Sequence, residues 1–476
     1  MSNSTNATQI IDTLKTQANS VLSSAVGSSP LEAFNITSQG NFPYVWQNPS
    51  NLKFNAKTYN WIKGNLAAAT SPYQFMAGSD FTNKYLQLAS NIVWTLSKSD
   101  QAELNNAAAK ATRQQAAVLN AWQSAFGSLP EGNAPINDIA NTIATTWADP
   151  ATTLQDIQSA LNLGKLLNKV PAAGAPVLPV FVNWLNALGS SVPLQNQVTM
   201  NNAYLARAVS AIQNPSAKNG GLTLDDGSIQ PGYAVANQVA DIENALANAG
   251  SSVDLSMTVT RSTSSEYEVK MSGSTGFSIP IFDFISVGVG ADANYFSSDI
   301  ATTDNETSVD MTFPGVNLVN FGPDAFTQAG NTENWFWMDP IREAIANGYQ
   351  NGAPVKDVSG YKWASQPPIT DFSDSGPFGY LGGAAISGYP TIKITVKSDS
   401  YQRIQKTFEQ SVSSSVSFLG IKLASASEST YSNNVTVDTA SSTVTITMTP
   451  PASLVAGKVA DSVGWILGVQ PVFPAA

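Results

Sequence analysis

The stretch Val253-Asp254-Leu255-Ser256-Met257-Thr258-Val259 decides how this chain is read. Apolar and polar residues alternate at every step. A period of two, with β-branched residues among the apolar set, predicts a strand with one buried and one wet face. The pattern returns twice. Ile392, Ile394 and Val396 alternate with Lys393 and Thr395, and Val444, Ile446 and Met448 alternate with Thr443, Thr445 and Thr447.

Upstream of Gly250 the period is that of a helix. From Gln101 to Phe126, Leu104, Ala108, Ala111, Val118, Trp122 and Ala125 recur at steps of three and four, after a capping-box-like Asp100 and Glu103 and before a Gly127 stop. Further helices are expected at Asn83–Leu96, Ile136–Trp147, Thr152–Leu167, Val177–Leu188, Leu194–Ile212 and Tyr233–Ala249. Pro130, Pro150, Pro171, Pro193, Pro215 and Gly220-Gly221 break the connections. The expected fold is α+β: a helical N-terminal half, then a duplicated, mostly antiparallel β half with long hairpins. The expected organisation is a mainly helical domain over 1–250 and a first β repeat over 251–319. An insert with a helix (Pro340–Tyr349) and a Gly/aromatic loop (Gln366–Gly388) follows over 320–388. A second β repeat with a C-terminal apolar segment occupies 389–476.

The duplication rests on matched residues about 135 positions apart. Phe284-Ile285-Ser286-Val287-Gly288-Val289 matches Phe418-Leu419-Gly420-Ile421-Lys422-Leu423, Ala291 and Ala293 match Ser425 and Ser427, and Val309-Asp310-Met311 matches Val444-Thr445-Ile446. Pro314 followed by Leu318-Val319 matches Pro450 followed by Leu454-Val455. Each copy runs from a strand through a Ser-rich stretch to a strand that turns small and polar, then a turn and a closing strand.

Composition narrows the chemistry. The 476 residues include no histidine and no cysteine. Disulfides, thiol nucleophiles, Cys- or His-ligated metals and His-based triads are therefore excluded. Charged residues make up 12% against a usual share of about a quarter, so the surface is mostly neutral-polar and accepts close packing with other surfaces. The formal net charge of −11, without any polybasic run, argues against nucleic acid as a partner. Met1–Gly27 lacks the basic and continuous apolar regions of a secretory signal, and no apolar run reaches the 18 or so residues of a membrane-spanning helix. Localisation is open, with a secreted or cell-surface site favoured.

Three function classes follow. In the first, the chain self-assembles and inserts amphipathic β-hairpins into a membrane. Val287, Val289, Ala291, Ala293 and Tyr295 share one face of Ser286–Ser297, opposite Gly288, Gly290, Asp292 and Asn294. About 9–11 tilted residues of that pattern span a bilayer. Ile421, Leu423, Val444, Ile446 and Met448 are the corresponding hairpin positions of the second copy. Pore-forming toxins of the membrane-attack/perforin and aerolysin kinds are similar in style, and no signature motif of those families occurs here. In the second class the same strands form a soluble sheet that binds partners or further copies through its edges. In the third, carboxylates such as Asp225-Asp226, Asp371 with Asp374, or Asp304 with Glu306 serve a hydrolase. Asp225-Asp226-Gly227 also reads as a simple turn. No GxxxxGK[ST] or GxSxG motif is present, and Gly288-Val289-Gly290 lacks the helix and third glycine of a dinucleotide site. A non-enzymatic homo-oligomer, without cofactor or metal and with a lipid membrane as candidate partner, is the preferred expectation.

Two other features stand out. Trp335-Phe336-Trp337 is either an aromatic platform or core beneath a loop. Gly379, Gly382 and Gly383 mark a loop or hinge where backbone approaches closely.

Overall fold

The computed structural model of the protein describes residues 32–33, 41–43, 53–66, 75–147, 170–247, 252–261, 266–271, 277–280, 285–287, 307–328, 333–374, 376–398, 401–402, 405–406, 415–418, 421–425, 432–450 and 463–475. The fold is mixed α+β. The described helices are α1 (Ala56–Ile62), α2 (Phe81–Ala89), α3 (Lys98–Phe126), α4 (Pro135–Thr142), α5 (Val177–Gln213), α6 (Val239–Ala247) and α7 (Asp339–Asn347). The early strands are β1 (Glu32–Ala33), β2 (Asn41–Pro43), β3 (Gly64–Leu66), β4 (Phe75–Asp80), β5 (Ile92–Thr95), β6 (Leu222–Thr223), β7 (Ile229–Gln230) and β8 (Tyr233–Val235). Then come β9 (Val253–Arg261), β10 (Glu266–Met271), β11 (Phe277–Pro280), β12 (Ile285–Val287), β13 (Thr307–Phe313), β14 (Asn317–Pro323), β15 (Tyr349–Gln350), β16 (Ala353–Pro354) and β17 (Gly360–Trp363). The last are β18 (Tyr380–Ser387), β19 (Thr391–Lys397), β20 (Ser415–Phe418), β21 (Ile421–Ser425), β22 (Ser432–Asp438), β23 (Thr443–Thr449) and β24 (Val463–Val472).

The chain divides into two compact units that interleave in sequence. The first takes Met1–Leu88, Ala208–Met338 and Pro368–Ala476; the second takes Ala89–Arg207 and Asp339–Pro367. Residue 250 lies inside the first unit.

The second unit is mainly helical. Helix α3 starts where the Ser97 hydroxyl accepts a bond from the Asp100 amide at 3.0 Å, and ends at Gly127, whose φ of 81° is the left-handed cap glycine tolerates. The cap is thus Ser97, one turn before the expected Asp100. Helix α3 buries a stripe of Ala107, Ala111, Val118 and Trp122, of which Val118 and Trp122 join a core cluster with Ile136, Ile139, Ile143, Trp147, Phe181 and Trp184. Trp122 and Trp147 stack with centroids 5.5 Å apart.

Helix α5 merges the two helices expected on either side of Pro193. Proline deletes the bond to the Gly189 carbonyl, yet nearby the Ser190 and Ser191 hydroxyls donate back to Ala187 and Leu188 at 2.8 and 2.9 Å. The helix carries on through the gap. Among the described residues it is the helix long and apolar enough to cross a membrane by length and composition. Its Val177, Leu178, Phe181, Trp184 and Leu185 are core residues of this unit. The expected helix Asn83–Leu96 stops at Ala89, and Ile92–Thr95 is instead β5, paired antiparallel with β17 (Trp94 opposite Tyr361). Asn202 closes the other edge of β5: its Oδ1 accepts from the Trp94 amide at 2.9 Å and its Nδ2 donates to the Trp94 carbonyl at 3.0 Å. The expected helix over Tyr233–Ala249 likewise splits into β8 and α6, and the helix over Thr152–Leu167 lies outside the described residues.

The first unit holds two large antiparallel sheets. One has the order β1-β24-β18-β14-β8, with β2 also on β24 and β3 joining β18 to β4. The other has seven strands in the order β11-β10-β9-β13-β19-β23-β22. A three-stranded sheet, β12-β20-β21, stands apart. Aromatic residues pack within this unit: Phe81 lies 5.1 Å from Phe378 and 4.8 Å from Tyr380 by ring centroids, and Tyr85 meets Trp335 edge-on at 5.2 Å. Polar tips are satisfied by backbone. Tyr59 donates to the Pro231 carbonyl at 2.9 Å, and Trp335 donates to the Gly232 carbonyl at 2.7 Å. Burial pushes the Tyr59 and Tyr233 phenols up, so both stay neutral.

Candidate functional site

The three alternating stretches that decide the sequence reading, now β9, β19 and β23, lie in one sheet with β13 between the first two. β9 pairs with β13, β13 with β19 and β19 with β23, all antiparallel. One row of opposed residues crosses the four strands as Val259, Thr307, Val396 and Val444. The inward residues form core: Val309, Ile392, Ile394, Val396, Val444, Ile446 and Met448 are at most 1% exposed. Outward, the next row crosses Thr258, Ser308, Thr395, Thr445 and Thr436, the last exposed and the others half-buried. The same face also carries Asp254, Lys397 and the opposed pair Asp310 and Lys393, so hydroxyls alternate there with a few charges.

The chain leaves this four-strand frame twice, each time from the same end. It departs after Arg261 and returns at Thr307; it departs again after Lys397 and returns at Thr443. The two excursions, residues 262–306 and 398–442, are both 45 residues long. Each joins two strands that are already neighbours, so each is the loop of a hairpin whose arms are β9 and β13, or β19 and β23. The described strands of both excursions pair up. β10 lies against the outer edge of β9 (Val269 opposite Val259) and β22 against the outer edge of β23 (Val437 opposite Val444). β12 of the first excursion pairs with β20 of the second, Ile285 opposite Phe418, and β20 pairs with β21.

The turn that returns the second excursion is built by Asp438. Its carboxylate accepts from the Ala440 amide at 3.0 Å and from the Ser441 hydroxyl at 2.8 Å, and the hydroxyl above all holds its pKa below the usual carboxylate range. Ser442 completes the reversal at a φ of 52°. At the opposite edge the outermost strand, β11, has four residues and ends on Pro280, which has no amide hydrogen to offer.

The expected hairpin residues fall in different places. Val287 is in β12, and Ile421 and Leu423 are in β21. Val444, Ile446 and Met448 are core positions of β23. Val289, Ala291, Ala293 and Tyr295 lie outside the described residues. Trp335, Phe336 and Trp337 do not form one surface: Trp335 is fully buried, while half-buried Trp337 stacks on Phe326 at 5.0 Å. Tyr85 fixes the segment, accepting from the Trp337 amide at 2.9 Å and donating to its carbonyl at 2.8 Å.

Gly382 and Gly383 are within β18, and Gly379 just precedes it, so the expected loop Gln366–Gly388 is strand over its last third. Close approach is present at all three glycines. A Cβ would stand 2.6 Å from Phe473 at Gly379, 2.6 Å from Val472 at Gly382 and 2.9 Å from the Val319 carbonyl at Gly383.

Asp225, Asp226 and Asp371 hold backbone. Asp225 accepts from the Ala56 amide, Asp226 from Ser228, and Asp371 from the Ser373 amide and hydroxyl. The Ser228 and Ser373 bonds hold Asp226 and Asp371 below the usual carboxylate range. Asp304 and Glu306 lie outside the described residues. Among the described residues no group of three or more carboxylates is arranged to hold a metal ion.

Reading β10 and β22 as partners of the frame needed a signal the Ser-rich background masks. Tyr267, Val269 and Met271 alternate with Glu268 and Lys270, and Val435 and Val437 alternate with Asn434 and Thr436. Comparison with protein-family models, curated proteins and solved structures gives no match.

Proposed function

We propose that this protein acts by self-assembly and opens pores in membranes, with residues 262–306 and 398–442 extending as two β-hairpins per subunit. The supporting observation is the pair of equally long excursions that leave one end of one antiparallel sheet, each between strands already side by side. Extending β9 and β13 into the first excursion, and β19 and β23 into the second, continues the existing ladders without changing strand order. Half of each excursion makes an arm of roughly 70 Å at about 3.3 Å per residue. A bilayer core about 30 Å thick needs some 10 tilted residues per strand, so the length suffices with a stem to spare. The low charge of the chain as a whole and the sequence alternation over Ser286–Ser297 support the same reading.

A second reading, a soluble assembly protein without a membrane step, is favoured by one observation: Val444, Ile446 and Met448 are already core. Dye-loaded vesicles separate the two. The pore reading expects release that rises with the amount of high-mass assembly on the vesicles. Full dye retention across anionic, zwitterionic and sterol-containing vesicles would overturn it.

A further inference from the structure

Resting on the self-assembly reading above, we infer that β9 of one copy pairs with β23 of the next, and that β10 and β22 are internal stand-ins occupying those two edges until assembly. Three observations carry this. First, the frame β9-β13-β19-β23 alternates in direction through four strands. An even number leaves its two outer strands antiparallel, so a second copy set edge to edge continues an antiparallel sheet without a break.

Second, the stand-ins repeat the pattern of the strands they would give way to. Along β9, register positions Val259 and Met257 are met by Val269 and Met271 of β10. The same positions would be met by Val444 and Ile446 of a neighbour's β23. Along β23, Val444 and Ile446 are met by Val437 and Val435 of β22, where a neighbour's β9 would bring Val259 and Met257. At this register the outward pairs are Thr258 with Thr445, Ser256 with Thr447 and Asp254 with Thr449, so no like charges meet.

Third, both stand-ins belong to the excursions themselves. Extending the excursions removes β10 and β22 from the frame, so the step that lengthens the hairpins also frees the edges. Until then the sheet ends at one side on the short, proline-terminated β11, an edge poorly suited to further pairing. The partner is therefore a second copy of this chain, and exposure of its docking edge is coupled to release of the excursions.

The absence of cysteine makes the test clean. Directly opposed residues in an antiparallel pair have Cα atoms about 4.5–5.5 Å apart, within reach of a disulfide. Thr258→Cys with Lys270→Cys locks β10 onto β9, and Thr436→Cys with Thr445→Cys locks β22 onto β23. Each oxidised protein is mixed with vesicles of phosphatidylcholine, phosphatidylserine and cholesterol and sized. Loss of assembly when oxidised and recovery on reduction are expected; the reduced protein controls for folding. In parallel, Thr258→Cys protein is mixed with Thr443→Cys, Thr445→Cys or Thr447→Cys protein and oxidised after assembly. A cross-link between copies in one of the three mixtures is expected, and which one reads the stagger between subunits. Locked proteins that assemble like the reduced ones, or assemblies in which none of the mixtures cross-links, overturn the inference while leaving self-assembly standing. A wild-type chain that forms no assembly at all overturns both.

Discussion

The two large sheets of the first unit differ in how they are made. In the seven-stranded sheet the frame strands bury one face and wet the other: β13, β19 and β23 alternate strictly between buried and half-buried or exposed residues. In the other sheet β18 is buried from Gly383 to Ser387 on both faces, and its sequence, Tyr380-Leu381-Gly382-Gly383-Ala384-Ala385-Ile386-Ser387, carries no alternation. The first sheet is shaped by the contrast between its faces, the second by lack of room. Gly379, Gly382 and Gly383 are small because Phe473, Val472 and the Val319 carbonyl occupy the space where a side chain would go.

Substitutions are expected to act differently in the two sheets. The largest effect belongs to the buried row of the frame. Ile446→Ala empties a fully buried site between β19 and β22, and a loss of about 2–5 kcal/mol is expected in denaturant unfolding. Its outward neighbour Thr445→Ala is expected to stay within about 0.5 kcal/mol of wild type. Equal losses at the two positions would break the one-face account of the frame. In the crowded sheet the sign runs the other way, since adding atoms does the damage. Gly379→Val drives a side chain into the Phe473 ring and is expected to cost about 1–3 kcal/mol, lowering the unfolding midpoint. Pairing it with Phe473→Ala should restore part of that loss; an unchanged loss in the double variant would show that crowding is not the cause.

The same contrast explains how much was legible in the sequence. Alternation is a local signal, so Val253–Val259, Ile392–Val396 and Thr443–Met448 announce themselves as strands, and the change of period near 250 announces an α+β chain. The capped stretch ending at Gly127 reads correctly as a helix for the same reason. Pairing across long sequence separations leaves no such mark. Ile92–Thr95 continues a helical pattern, and becomes strand because Gly360–Trp363 offers a partner. β18 looks like loop because glycine and alanine are poor strand formers. Only the packing of Phe473 and Val472 against it makes small residues the right ones. Of the candidate site, the alternation of Val444, Ile446 and Met448 that makes β23 a strand was visible in the sequence. The coverage of both frame edges by β10 and β22 was not, because it depends on which strands are neighbours.

In the proposed pore the excursions become membrane-spanning hairpins. Single cysteines carrying an environment-sensitive dye, placed in turn at positions 286 to 295 on this cysteine-free chain, test it most directly. On vesicles a period of two is expected: dye at Val287, Val289, Ala291, Ala293 and Tyr295 enters lipid, while dye at Gly288, Gly290, Asp292 and Asn294 remains in water. Emission that shifts at none of these positions, or shifts without alternation, would contradict it.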